Sequence, residues 1–331
     1  MRLAAGTPLE EAVGDLSFDA TVPRTLVHKR AVEEVLLTDS IGIDRDRFLC
    51  AGQLPRAHRL YGAGTAGRYD LLLLAELVRQ ATVLVGHEHL GVPDDRQFML
   101  TELDLVIVDP DALAVGTAPA EATIEILARD RRELDGALAG YRLDGSVYVD
   151  RVPAASGSGS CMCLAPDDYR AVREAGPRGT GGAPAGPHPG EAADAARVGR
   201  ADPRDVVVAA LEWPSPGTAR SSVVVDGAHP SFFDHPLDHV PGMLLLEAAR
   251  QTAVAAVSAA LGTLAHRLAA TGCRARFLRF AELGAAVRCE ASVPGLRAGS
   301  RNEPIEVVLA LKQRSSRLAD VSLQLSDEPH G

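Results

Sequence analysis

Aromatic side chains are scarce in this chain, at 4 % of 331 residues with a single tryptophan. That leaves few rings for stacking nucleic-acid bases. Positive charge is in deficit too: 34 Lys and Arg face 44 Asp and Glu, a formal net charge of −10, so no broad basic surface exists for nucleic acid. Cysteine is sparse and odd in number, five in all, with no disulfide-like spacing, and a reducing cytoplasm is the expected setting. Cys161 and Cys163 lie close together, but no second Cys or His pair stands at a zinc-like distance, and no metal is expected. Long apolar runs are also missing. Leu71–Leu74 and Met243–Leu246 meet a Glu or Arg within a turn and are too short to span a bilayer. Met1–Pro8 leads directly into Glu10 and Glu11, so neither a secretory leader nor a membrane anchor is expected.

What is present suits a soluble protein with a substantial core: 46 % hydrophobic and 24 % charged residues, at a length typical of two domains. The organising feature is a repeat. Glu76-Leu77-Val78-Arg79-Gln80 returns 171 residues later as Glu247-Ala248-Ala249-Arg250-Gln251. The same offset carries Leu90-Gly91 onto Leu261-Gly262, and His58 and Tyr61 onto His229 and Phe232. Phe98 through Glu102-Leu103 also resembles Phe277 through Glu282-Leu283, with a small insertion in the second copy. A tandem duplication follows, with a first domain over 1–174 that includes an N-terminal extension, a Gly/Pro-rich linker over 175–203, and a second domain over 204–331.

Each copy reads as an extended segment, a helix of about five turns (near 70–87 and 241–260), then a run of strands, an α+β plan. In the first copy the strands fall near 97–109, 120–129, 138–150 and 157–165; in the second, near 273–283, 286–293, 304–313 and 318–325. Both helices are apolar almost all round, so each belongs inside its domain. A curved antiparallel sheet wrapped around one helix would bury it on most sides.

The polar residues on these helices are therefore informative. Glu76, Arg79 and Gln80 share one face by i, i+3, i+4 spacing, as do Glu247, Arg250 and Gln251, and His87 and Ser258 return to nearly the same azimuth. Poor solvation of Glu76 or Glu247 is expected to raise the pKa and make the group a usable general base, a rise that the neighbouring Arg would counter. Arg79, Gln80, Arg250 and Gln251 are the corresponding candidates for binding a carboxylate or phosphate. A structural Glu–Arg pair is the competing reading. Before the second helix, Asp234-His235-Pro236-Leu237-Asp238-His239 offers a proton-transfer set, with His235 and His239 as candidate catalytic groups. Gly242 would let a ligand approach a helix N-terminus whose N–H groups polarise a carbonyl. Arg274 and Arg276, with Arg279, are further phosphate candidates, against a plain solvated strand face. The glycines at Gly62, Gly64 and Gly67 follow no apolar strand, and no dinucleotide or other cofactor is expected.

The stretch from Phe232 through His235-Pro236 and Pro241-Gly242 to Glu247 resembles the catalytic segment of hot-dog β-hydroxyacyl-carrier-protein dehydratases, though the histidine spacing differs by an insertion. A resemblance covering nearly the whole chain rests on Val27-His28, Glu34-Val35, Thr38-Asp39, the duplicated Glu-x-x-Arg-Gln and the His229–Glu247 segment. On these the chain is similar to the A-factor biosynthesis (AfsA-type) hot-dog family. The resemblance implies a tandem double hot-dog and synthesis of γ-butyrolactone or butenolide signalling molecules. It further implies transfer of a β-ketoacyl group from acyl carrier protein to dihydroxyacetone phosphate, after which the ester can cyclise by an aldol-type condensation. The two halves would pair within the chain as a pseudo-dimer, and a homodimer of chains stays open. A dehydratase or thioesterase of carrier-protein thioesters, and a non-catalytic binder of butyrolactones or acyl thioesters, are the alternatives.

Overall fold

A computed structural model describes residues 9–62, 67–175, 191–293 and 304–327. The chain divides into two compact units, one formed chiefly by residues up to Val172 and the other chiefly by Arg173 onward.

In the first unit, β1 (Leu37–Gly42) and β2 (Arg47–Leu54) precede the long helix α2 (Leu71–Glu88), and β3 (Gln97–Ile107), β4 (Ala120–Leu134), β5 (Ala137–Val149) and β6 (Val152–Leu164) follow it. Its sheet runs β1-β2-β4-β5-β6-β3, antiparallel at every step. Leu71–Leu74, Leu77 and Leu84 of α2 are fully buried, each stabilising the fold by about 1.5–3 kcal/mol. Two glycines set how near the helix lies. A Cβ on Gly52 of β2 would meet Leu77, and one on Gly86 of α2 would meet Phe98 and the Tyr141 hydroxyl. The Tyr141 hydroxyl donates to the Thr82 carbonyl at 2.8 Å and so ties β5 to α2. The short N-terminal helix α1 (Leu9–Gly14) brings Ala12 and Leu16 against Ile41, Ile43, Leu49 and Ala51, a separate small core over β1 and β2.

A short helix α3 (Pro166–Ala175) follows β6. The second unit contains β7 (Glu212–Ser215), β8 (Thr218–Ser222), the helix α4 (Gly242–Leu261), β9 (Leu268–Phe277), β10 (Val287–Ser292), β11 (Ile305–Gln313) and β12 (Ser316–Asp327). Its sheet order is β9-β12-β11-β10-β8-β7, again antiparallel throughout. Helix α4 packs against β8 to β12 and ends on Gly262, whose φ of 67° supplies the left-handed cap. It is long and apolar enough to cross a membrane, yet most of it is buried inside its own unit, as befits a core helix. Each unit thus holds one long helix against a six-stranded antiparallel sheet, the hot-dog plan twice over.

The repeat runs deeper than the sequence motifs suggest. The 3-10 turns Arg24–Val27 and Val32–Glu34 recur 171 residues later as Ala195–Val198 and Pro203–Asp205. The starts of β2 and β8, α2 and α4, and β3 and β9 keep the same offset. Two expectations change accordingly. Residues 191–203 are no linker: Val198 is fully buried, and the segment belongs to the second repeat (176–190, the rest of the expected linker, lies outside the described residues). Phe98 and Phe277 are not equivalent either, since Phe98 stands second in β3 whereas Phe277 closes β9.

Candidate functional site

Glu76 is buried on α2 and saturated with donors. Arg79 donates to both of its oxygens at 2.8 Å, and Gln80 Nε2 donates to Oε1 at the same distance. Lys29 Nζ lies 3.1 Å from Oε1 and 3.9 Å from Glu34, and His58 Nε2 faces Glu34 at 3.5 Å. The His58 tautomer is fixed because its Nδ1 accepts from the Leu60 and Tyr61 amides, which leaves the proton on Nε2.

The second unit rebuilds this network with different residues. Glu247, at 0 % exposure, accepts from Arg250 Nε and Nη2 at 2.9 and 2.8 Å and from Gln251 Nε2. Arg200 adds Nε at 2.8 Å and Nη2 at 2.6 Å. His229 Nε2 faces Asp205 at 3.4 Å, and its Nδ1 accepts from the Ser231 and Phe232 amides. Lys29 and Arg200, Glu34 and Asp205, and His58 and His229 all stand 171 residues apart.

The electrostatics reverse the expected rise in carboxylate pKa. Burial pushes Glu76 upward, but the charges of Arg79 and Lys29 and the hydrogen bonds from Arg79 and Gln80 outweigh it, and the group sits well below the usual range. For Glu247, burial is likewise overridden, here by Arg200 and Arg250, and the pKa falls to about 2. These carboxylates are firmly ionised anions held by cations, which makes them poor proton acceptors at neutral pH. The glutamines are clamps: Gln80 accepts from the Leu36 amide at 2.9 Å and donates to the Glu34 carbonyl at 2.8 Å, and Gln251 does the same with Val207 and Asp205 at 2.9 and 2.7 Å. Of the arginines, Arg79 retains 24 % side-chain exposure and Arg250 only 6 %.

His87, further along the α2 stripe, meets His28 with its Nε2 3.0 Å from His28 Nε2, while its Nδ1 faces the Val92 carbonyl at 2.9 Å. In the second unit the matching Ser258 hydroxyl donates to the Thr263 carbonyl at 2.7 Å, a plain helix-end cap.

The loop before α4 has a different character. His235 Nδ1 lies 2.6 Å from Asp234 Oδ1; the Asp234 side chain is 3 % exposed, whereas that of His235 is 31 % exposed. His239 Nδ1 lies 2.7 Å from Asp238 Oδ1, and its ring stands edge-on to Phe280 at 4.8 Å between centroids. Each imidazole is thus paired through Nδ1 with the preceding aspartate, so that Nε2 is the basic nitrogen. Arg173 grips Asp238 and Glu282 beneath this loop.

Two expected contributors stand apart. Arg274 and Arg276 project from the exposed face of β9, whose buried face carries Cys273 and Ala275 toward α4, so neither joins the Glu247 network. Pro241 is the N-cap of α4, one residue before the helix begins, and the Phe277 ring lies against the side of Gly242 that a Cβ would occupy. Among the described residues no group of three or more His, Cys, Asp or Glu is arranged to hold a metal.

Sequence reasoning missed Lys29, Arg200, Asp205 and Arg173. For the first three, continuing the 171-residue offset upstream of the helices would have paired them.

The two units define a double hot-dog protein. The chain matches the A-factor biosynthesis hotdog domain (AfsA) over residues 11–165 and again over 185–326. It belongs to that family. It is 38 % identical over 264 residues to a 2-oxo-3-(phosphooxy)propyl 3-oxoalkanoate synthase of Streptomyces virginiae, covering 80 % of this chain and 84 % of that one. A synthase of the same name from Streptomyces coelicolor is 34 % identical over 280 residues, covering 84 % of both chains. Among solved structures, one assigned as an oleoyl thioesterase from Lactobacillus plantarum aligns with a TM-score of 0.50 at 13 % identity, over 85 % of this chain and 97 % of that one, and shares the fold.

Proposed function

We propose that this chain is an acyltransferase that moves a β-ketoacyl group from an acyl carrier protein thioester to the hydroxyl of dihydroxyacetone phosphate. The product is a 2-oxo-3-(phosphooxy)propyl 3-oxoalkanoate, a precursor of butenolide and γ-butyrolactone signals. The observation that carries this reading is the identity of 34–38 % with synthases named for that product, over about four fifths of the chain.

The reaction is a transesterification, and its demands match the loop better than the buried glutamates. A base must take the proton of the substrate hydroxyl, and His235 is suited to it: its Nδ1 is paired with Asp234, and Nε2 carries the basic lone pair. As the proton moves to Nε2, the substrate oxygen bonds to the thioester carbonyl carbon and the carbonyl oxygen takes up the negative charge. Collapse of that intermediate breaks the C–S bond, and the departing thiolate receives the proton from the imidazolium. Asp234 stabilises the imidazolium meanwhile, the role of the acid in a Ser-His-Asp triad. Glu76 and Glu247 serve by orienting Arg79 and Arg250, each within its own unit, and both arginines are candidates for a phosphate there, Arg79 being the more exposed.

The test is direct. Purified protein incubated with a β-ketoacyl carrier protein and dihydroxyacetone phosphate should yield the phosphorylated ester, detected by mass spectrometry together with free carrier-protein thiol. Release of free β-keto acid at the same rate with and without dihydroxyacetone phosphate would make the protein a thioesterase instead.

A further inference from the structure

We propose that Arg173 is a positioning residue for the 234–240 loop, acting on His239 through Asp238. This rests on the reading of that loop as the catalytic one, and it adds His239 to His235 as an imidazole whose Nε2 meets the substrate. Arg173 lies in the last turn of α3, and its guanidinium is committed on every side. Nε donates to Asp238 Oδ2 at 3.0 Å and Nη2 to the Asp238 carbonyl at 3.0 Å. Nη1 and Nη2 donate to the two Glu282 oxygens at 2.6 and 2.8 Å. Its Cζ lies 4.7 Å from the centroid of Phe280, the ring against which His239 stands edge-on.

The loop gains little fixation from regular structure. Its backbone is joined to the 281–282 segment by the Val240 amide to the Ala281 carbonyl at 2.8 Å and by a lone bridge between His239 and Glu282. The Asp238 side chain is half exposed at 51 %, so its direction is set by hydrogen bonds more than by packing. Arg173 supplies one to Oδ2 and another to the backbone carbonyl, and with Oδ2 held by Nε, Oδ1 faces His239 Nδ1 at 2.7 Å. The ring is thereby fixed in one tautomer, with its Nε2 directed by a chain that begins at Arg173. At 16 % exposure and with bidentate geometry to Glu282, the arginine is placed to hold direction as well as charge. Lysine carries three donors on a single nitrogen and so cannot reproduce this planar fork.

The experiment compares Arg173→Ala and Arg173→Lys with the wild type, measuring kcat and KM separately for the carrier-protein and phosphate substrates. Displacing a catalytic group by about 1 Å costs on the order of 10²-fold, so kcat should fall by roughly that factor in Arg173→Ala while KM changes little. Arg173→Lys should lie between, and guanidinium chloride below denaturing concentration should restore part of the Arg173→Ala loss. Ring nitrogen NMR reports the effect without turnover: His239 should hold its proton on Nδ1 in the wild type and lose that preference in Arg173→Ala. A wild-type kcat in folded Arg173→Ala, or a loss unrescued by guanidinium with the His239 tautomer unchanged, would reduce Arg173 to a structural rivet. Full activity of His235→Gln and His239→Gln would instead remove the loop from catalysis, and the tautomer measurement would still decide whether Arg173 orients His239.

Discussion

Arg200 reaches Glu247 from outside the helix, with Nε on one carboxylate oxygen and Nη2 on the other, at the place where Lys29 reaches Glu76 in the first unit. A single helix carboxylate is therefore held by two cations in each half. In the second half both cations are arginines and five hydrogen bonds converge on one group. Such a pair costs desolvation to assemble, and removing either partner leaves the other charge buried and uncompensated.

Glu247→Gln and Arg200→Ala should each destabilise the second unit by about 3–5 kcal/mol, read from denaturant or thermal unfolding. The sign with pH is fixed. The Glu247 pKa is lowered from 4.5 to about 2 on folding, so its stabilisation is fully present above about 4.5 and is lost as pH falls toward 2. The stability gap between wild type and Glu247→Gln should thus narrow below pH 4.5, and a gap constant with pH would contradict the charged assignment.

His235→Gln should lower kcat by about 10²–10⁴-fold with little change in KM, the usual range for loss of a general base. Asp234→Asn should act in the same direction by disturbing the tautomer of the ring. A His235→Gln enzyme with wild-type kcat would exclude this imidazole as the base.

Arg79→Ala should raise the apparent KM for dihydroxyacetone phosphate more than Arg250→Ala does, because the Arg79 side chain is 24 % exposed and that of Arg250 6 %. Arg250→Ala should show its effect mainly as lowered thermal stability. Equal KM effects at equal stability would mean that exposure does not mark the phosphate-binding arginine.

Gly86→Ala should cost about 1–3 kcal/mol, because the added methyl would collide with the Tyr141 hydroxyl and the Phe98 ring. Differential scanning calorimetry reads this directly, and Gly91→Ala, where nothing lies near the added methyl but φ is +72°, separates crowding from backbone strain.

Most of the scaffold was legible in the sequence because it follows period and apolar content. Both core helices begin and end within a residue of their expected limits, and β3, β5, β10, β11 and β12 fall close to theirs. However, β4 runs to 134 rather than 129, β6 begins at 152 rather than 157, and β9 lies at 268–277 rather than 273–283. What escaped is held by polar contacts rather than by bulk. Residues 191–203 carry few large apolar side chains and read as a linker, yet Arg200 on Glu247 and the buried Val198 fix them in place. Lys29 and Arg200, or Glu34 and Asp205, differ in type while keeping their charge, so a search for identical letters passes over them. The reverse error made Phe98 and Phe277 a pair: the letters agree but the strand positions do not. The catalytic expectation for Glu76 and Glu247 took burial into account without the second cation, which comes from a segment some 47 residues before each glutamate.

The glutamine clamps carry a consequence for how this protein can be divided. The Gln80 amide receives one backbone N–H and gives to one backbone C=O two residues earlier, as the peptide group of an adjacent strand would. A side chain on the helix thus imitates a missing strand for the chain ahead of β1, and Gln251 does so ahead of β7. The heritable module is therefore longer than helix plus sheet and reaches back at least to the 3-10 turns, near residue 24 in one copy and 195 in the other. A fragment cut at 204 would begin inside its own module and lose Arg200, one of the two cations on Glu247, whereas one cut at 185, where the family match resumes, would keep it.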